Sequence, residues 1–160
     1  MRRQGSSLPF LFLTAVKKIV LLLPALLAAA AHAQQPSLPT VQLAAGMHAI
    51  RAEVANNMGT RMQGLMFRKS MAASDGMLFV FEESTKHCMW MKNTPLPLSV
   101  AFMDDAGTIV TILEMQPHDE SSRCATQPAR YALEMNKGWF AQRGIKSGAK
   151  LRGLEKLAPR

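Results

Sequence analysis

The chain has 160 residues, a length that suits one domain with its own core and is short for two. Its net charge of +8 reflects 19 Lys and Arg against 11 Asp and Glu. Those basic residues are scattered, without the dense clusters or interleaved aromatics of a nucleic-acid binder, so nucleic acid is not expected as a partner.

The N-terminus reads as an export signal. Arg2, Arg3, Lys17 and Lys18 precede the first acidic residue, Glu53; residues 19–31 form an apolar run, and Ala31-His32-Ala33 closes it. A basic region, an apolar core and a small-x-small site in that order mark a cleaved secretory signal. A membrane anchor over 8–31 would bury Lys17 and Lys18 at roughly 2.5–3.5 kcal/mol each, and 19–31 alone is too short to cross about 30 Å of hydrocarbon. No cysteine follows the apolar core, which argues against a lipid anchor. The expected organisation is a signal peptide over 1–33, a tether over 34–39 and one domain over 40–157, periplasmic or secreted, with no transmembrane anchor after cleavage. Cleavage removes four basic residues and halves the net charge. The basic region is long, and a start at Val16 in place of Met1 would give a more compact leader.

Within the domain, residues 40–44 and 47–55 alternate apolar and polar across Gly46, the pattern of a β-hairpin. Over 56–68 the period changes: Met58, Met62, Leu65 and Met66 recur on one face of a helix, with Asn57 as N-cap or Thr60 and Gln63 as a capping box one turn later. A loop at 70–75 leads to strands at 77–81, 87–91, 98–103 and 109–115, the last two joined by the turn Asp104-Asp105-Ala106-Gly107. Residues 116–128 are polar and irregular, 130–136 alternates again, 137–143 reads as a helical turn, and 150–157 as a final strand. Short strands with one main helix predict a mainly β (α+β) fold, a compact antiparallel sandwich or small barrel.

Two cysteines remain after the leader, Cys88 and Cys124. In an oxidising compartment an even count favours a disulfide between them, with two buried thiols as the alternative.

The segment from His87 to Pro95 is the densest in chemistry. On a strand His87, Met89 and Met91 point to one face and Cys88, Trp90 and Lys92 to the other, so His87 cannot activate Cys88 as a nucleophile. The His87, Met89 and Met91 face offers a soft donor set suited to Cu(I) or Ag(I). With 12 methionines in the chain, the competing reading is adaptable core packing. Lys92, Asn93 and Thr94 supply a cation, an amide and a hydroxyl, either to a ligand or to a hydrogen-bonded turn. Arg68 is a candidate at the helix end, and Glu134 and Asn136 share one strand face; Glu134 pairing with Lys92 or Arg68 would be structural. Asp104 and Asp105 are turn residues, and Asp119 and Glu120 lie in a loop. No Gly-x-Ser-x-Gly elbow, P-loop, zinc-spaced cluster or dinucleotide fingerprint occurs, and no cofactor is expected.

Gly64-Leu65-Met66-Phe67-Arg68, Gly76-Met77-Leu78-Phe79-Val80-Phe81, Trp90-Met91-Lys92-Asn93-Thr94, Pro97-Leu98, Pro128 through Asn136, and Gly144-Ile145-Lys146-Ser147-Gly148 follow one another along the chain. In these blocks the sequence resembles the domain-of-unknown-function family 192 over nearly all of residues 40–154, the Trp-Met-Lys-Asn-Thr block being the most specific. The resemblance implies a compact, mostly β domain with a short helix, often exported, and no established activity. The family's polar motif positions fall on Arg68, His87, Lys92, Asn93, Thr94, Glu134 and Asn136, and its aromatic on Trp90, which implies a shared pocket or a buried polar network. The chain departs from the pattern in two places. Gly59 and Thr60 replace the acidic residues usual early in the helix, which weakens that N-terminus slightly. Met89 replaces an aromatic before the Trp, so the methionine face is not a family feature.

The reading is thus a non-catalytic exported domain that binds a small polar ligand or an envelope protein near Trp90, Lys92 and Asn93. It is expected to be a monomer. The alternatives are an enzyme acting on envelope glycans or peptides, and a periplasmic Cu(I)/Ag(I) binder.

Overall fold

The structure, a computed structural model, describes residues 38–157. The expected signal segment 1–33 and the tether up to residue 37 lie outside the described residues.

The hairpin forms where alternation and Gly46 predict it. β1 (Thr40–Ala45) and β2 (His48–Ala55) pair antiparallel with Ala45 opposite His48. Gly46 takes φ 60° in the connecting turn, a conformation that costs an L side chain. α1 (Met58–Gln63) starts at Asn57, whose Oδ1 accepts the Thr60 N–H at 2.9 Å while Thr60 Oγ1 accepts the Asn57 N–H at 3.2 Å. It is shorter than the 56–68 helix expected: Gly64 turns to φ 48° and Phe67 to φ 63°, and neither continues a right-handed helix.

β3 (Asp75–Thr85) then runs parallel to β2, Arg51 opposite Asp75. This is the one parallel pair among the named strands of an otherwise antiparallel sheet. The connection 56–74, containing α1, is long enough to carry the chain back to the same end, as a parallel pair requires.

β5 (Leu98–Met103) and β6 (Ile109–Met115) form the expected hairpin. Asp104 Oδ1 pins its turn by accepting the N–H groups of Ala106 and Thr108 at 2.9 and 2.8 Å. β8 (Ala129–Asn136) inserts between β3 and β5. α2 (Trp139–Gln142) occupies the expected helical turn, and β9 (Leu151–Arg152) pairs with β1. The strand expected over 150–157 stops there. Gly153 has φ 99° and lies so close to β1 that a Cβ would sit 2.5 Å from the Gln42 carbonyl oxygen; the chain then coils into a 3-10 turn, Leu154–Lys156.

The sheet order is β6-β5-β8-β3-β2-β1-β9. Its two ends meet: Thr108 bridges Lys150, and the Ile109 and Leu151 N–H groups donate to Ala149 and Gly107 oxygens at 2.8 and 2.9 Å. The fold is therefore mainly β, a curled, nearly closed sheet with two short helices. A separate ribbon, β4 (Cys88–Met89) with β7 (Arg123–Cys124), packs outside it; the strand expected over 87–91 is confined to two of its residues.

Two apolar layers result. Leu43, Ile50, Leu78 and Leu133 fill the inside of the curl with Trp139 and Phe140. Met77, Phe79, Leu98, Val100 and Phe102 face outward, yet are covered by Leu65 and by Met89, Met91 and Leu96. β5 is buried at every position and β8 at most, so the central strands have no wet face.

Gly76 shows how tight this centre is. A Cβ there would meet the Met135 sulfur and stand 2.6 Å from the Glu134 carbonyl oxygen. Gly76→Ala is expected to cost about 1–3 kcal/mol through strand displacement, read as a lower urea midpoint; an unchanged midpoint would contradict the packing described.

Candidate functional site

Strand alternation sends Ala132 and Glu134 to the outer face of β8, while Leu133 and Met135 fill the curl. Glu134 is flanked by Met77 of β3 and Val100 of β5 in register. A carboxyl thus stands within an apolar face, 3% exposed, and its side chain has no hydrogen-bonding or ionic partner among the described residues. Burial pushes its pKa up to about 8, so the neutral acid predominates at pH 7.

The carboxyl lines a narrow cavity of about 30 Å³, room for about one or two waters. The turn after α1 roofs it through Leu65 and Met66, Phe79 and Met89 form apolar walls, and Trp90, Lys92 and Thr94 complete it. Thr94, 4% exposed, donates its hydroxyl proton to the Lys92 carbonyl oxygen at 3.0 Å. The Lys92 ammonium lies 5.2 Å from the centre of the Trp90 ring, a cation–π distance. Arg61 also contributes, but its guanidinium is engaged by the Val80 carbonyl at 3.0 Å and Glu82 at 3.3 Å.

A wider groove of about 440 Å³ adjoins this cavity, lined by Met58, Met62, Phe81, Glu83, His87 and Cys88. Arg61, Met62, Phe79, Met89 and Trp90 belong to both spaces. Met58, Met62 and Trp90 are 75, 59 and 40% exposed. Of the helix face predicted from Met58, Met62, Leu65 and Met66, Met58 and Met62 line the groove and Leu65 is buried.

The wall from His87 to Thr94 is fastened at several points. His87 stacks on Phe81 with ring centres 3.7 Å apart, and its Nε2 lies 2.9 Å from the Glu83 carbonyl oxygen and 3.2 Å from Thr85 Oγ1. Cys88 and Cys124 are joined by a disulfide across β4 and β7. With a sequence separation of 36 between the partners, the bond removes roughly 4 kcal/mol of unfolded-chain entropy in the loop-closure model. The Met91 N–H donates to the Asp119 carbonyl at 2.8 Å, and the His118 N–H to that of Thr94 at 3.2 Å. Asp119 itself is held by the Ser121 side chain and N–H, then by Arg123, which draw its pKa down to about 2.

Trp90, Lys92, Thr94 and Glu134 thus converge on one cavity, and His87 lies in the adjoining groove. Asn93 is exposed at φ 52°, its carbonyl accepting the Phe67 N–H at 2.7 Å. Arg68 makes a two-pronged pair with Glu53 at 2.5 and 2.6 Å and lines neither space; Glu53 holds its pKa above the usual value. Glu53 sits opposite Met77, as Glu134 does on the other side, so Met77 separates the two carboxyls across about 10 Å of sheet. Asn136 donates its amide N–H groups to Met71 and Ala72 carbonyls, both at 3.1 Å, and anchors the loop before β3. Of the copper set, His87 and Met89 reach the groove, whereas Met91 is 1% exposed in the outer core and lines neither space. Among the described residues no three His, Cys, Asp or Glu side chains group to hold a metal, and no helix is long and apolar enough to cross a membrane. Sequence reasoning missed Arg61, Phe79 and Glu53; alternation on β2 puts Glu53 on the face opposite Ile50, Ala52 and Val54, the outer face that Met77 shares, and that register is the signal that could have found it.

A curled β domain with an unpartnered acid under a disulfide-fastened wall is the class that fold and site define. The chain belongs to the DUF192 family, whose model, described as "Uncharacterized ACR", matches residues 40–153. Solved structures similar to it include the following two. A Sinorhizobium meliloti protein described as a "putative transcription regulator" is 38% identical, with a TM-score of 0.70 over 74% of this chain and 97% of its own. A protein of unknown function from Novosphingobium aromaticivorans is 31% identical, with a TM-score of 0.71 over 74% of this chain and 89% of its own. No curated protein matches the chain.

Glu134 predicts a pH dependence of stability. Below about 4.5 the carboxyl is protonated in both folded and unfolded chains and contributes nothing unfavourable; between there and about 8 only the unfolded chain ionises. Stability therefore falls as pH rises through that window, by roughly 1 kcal/mol per pH unit. Glu134→Gln removes this term, so Tm measured from pH 5 to 8 should fall less steeply than in the parent, with the largest gain at pH 8. Parallel curves would refute the assignment.

Proposed function

We propose that this chain is an exported, non-catalytic binding domain of the bacterial envelope, and that it holds a small polar ligand between Trp90, Lys92, Thr94 and Glu134. The observation that carries this reading is the buried carboxyl of Glu134, without a partner among the described residues and lining a cavity. Burying a polar group without a hydrogen bond costs free energy, and a ligand that satisfied it would recover that cost. The exposed Trp90, Met58 and Met62 supply an apolar surface beside it, the combination usual in small-molecule sites.

The second reading, an enzyme acting on envelope glycans or peptides, calls for a paired carboxylate or a carboxylate and histidine. Glu53 is occupied by Arg68 beyond Met77, and His87 lies in the groove against Phe81. That arrangement favours binding.

A titration of the domain with a set of small polar fragments, followed by amide and indole NMR shifts, tests the site. Shifts should cluster on Trp90 Nε1–H, Thr94 and Glu134, and Trp90→Ala should weaken binding about tenfold, the effect of roughly 1.4 kcal/mol. Shifts elsewhere, or none, would remove the site.

Export is tested separately. Fractionation of a C-terminally tagged full chain should recover it outside the cytoplasm with Gln34 as its N-terminus; an uncleaved cytoplasmic chain would end that part of the proposal.

A further inference from the structure

We propose that the Glu134 cavity receives a primary ammonium group carried on an apolar body, the body lying along the neighbouring groove. This rests on the reading of the cavity as a ligand site and names the chemistry it takes.

Hydrogen-bond accounting points to a donor. Two buried polar side chains line the cavity, Glu134 at 3% and Thr94 at 4% exposure. The Thr94 hydroxyl has one proton and gives it to the Lys92 carbonyl, so only its lone pairs are left to offer. The neutral Glu134 acid has one O–H to give, and once ionised it is an acceptor alone, the form that an ammonium, with three donors and no acceptor, selects.

Size narrows the choice. A cavity of about 30 Å³ admits a group of roughly water size, which suits an ammonium and excludes a guanidinium or a trimethylated nitrogen. The groove beyond it, about 440 Å³, takes a larger body against Met58, Met62, Phe81 and Trp90.

The surrounding charges are compatible. Arg61, on the helix side, is engaged by Glu82 and the Val80 carbonyl, and Arg68 is paired with Glu53 beyond Met77. Lys92 packs against Trp90, positioned for a carboxylate or carbonyl near the ammonium. Glu82 and Glu83 border the groove. On binding, Glu134 releases its proton to solvent and an ion pair forms in its place. The ammonium chemistry could come from a free apolar amino acid or from the N-terminus of an apolar peptide.

Calorimetry and NMR on the mature domain test this with n-hexylamine, hexanoate and n-hexanol as probes. Hexylamine is expected to shift Thr94 and Glu134 resonances and to bind at least tenfold more tightly than the other two. With Glu134 titrating near 8, hexylamine affinity should rise about tenfold per pH unit from 6 towards 8, where the amine stays protonated. About one proton should leave per amine bound near pH 6.5, read from heats in buffers of different ionisation enthalpy. Glu134→Gln should lose at least tenfold in affinity at pH 8 along with the pH dependence. Should that variant fold poorly, the parent protein's pH profile and proton release decide the matter alone. L-Leucine and the tripeptide Leu-Ala-Ala separate the two sources by their order of affinity. Tighter binding of hexanoate or hexanol in the cavity, or hexylamine affinity that falls with rising pH, overturns the ammonium assignment while keeping the site. If no probe shifts the cavity resonances, the site reading itself fails.

Discussion

The central strands of this domain are packed on both faces, and the behaviour of the buried Glu134 carboxyl follows from that. In an ordinary antiparallel meander the outward face of β8 would meet water, and Glu134 would be a solvated acid. Here the inner face closes the curl through Leu133 and Met135, and the outer face is covered by the turn after α1 and the segment from Met89 to Leu96. Met77 and Val100, opposite Glu134 on the neighbouring strands, leave it no polar contact within the sheet. Desolvation is accordingly the single cause of its raised pKa.

Covering that outer face requires irregular chain to be held without a sheet of its own. A ribbon of two-residue strands cannot do this by hydrogen bonding alone. The Cys88–Cys124 bond, the Met91 N–H to Asp119 contact and the stack of His87 on Phe81 supply the rest. His87 is thus both a fastening of the wall and a surface of the groove. Cys88 and Cys124 tie β4 to the end of the polar 116–128 segment, so that a stretch with little strand character in its sequence becomes part of the roof.

Much of this architecture was legible in the residues. Alternation and turn chemistry located the hairpins around Gly46 and Asp104, and the bounds of β5 and β6 agree with their apolar pattern, because local rules and tertiary packing point the same way there. The errors fall where a long-range contact overrules a local one. Periodicity extended the helix to Arg68, but Gly64 and Phe67 turn left-handed to bring the chain over the outer face. The last strand stops at Arg152 because β1 approaches too closely at Gly153. The β2/β3 pairing is parallel because the crossover covers the outer layer, which no property of either strand's own sequence announces. Trp90, Lys92, Thr94 and Glu134 line one cavity, whereas Arg68, weighed with Lys92 as a structural partner for Glu134, pairs with Glu53, two strands along the sheet.

The exceptions to local rules also coincide in space, and this gives the site its physical character. The non-glycine residues with positive φ among those described are Phe67, Asn93 and His118. A bulky side chain in that region is strained. Phe67 donates its N–H to the Asn93 carbonyl, and His118 donates to the carbonyl of Thr94, the next residue. All three therefore meet at the join between the turn after α1, the Trp90 segment and the 116–128 loop. Exposed Met58, Met62 and Trp90, and a buried carboxyl without a partner among the described residues, lie around the same join. Each feature costs stability by itself, and the packed sheet beneath and the disulfide beside them are what can offset that cost. Departures from local consistency that cluster at one place in an otherwise regular fold are the pattern of a functional site.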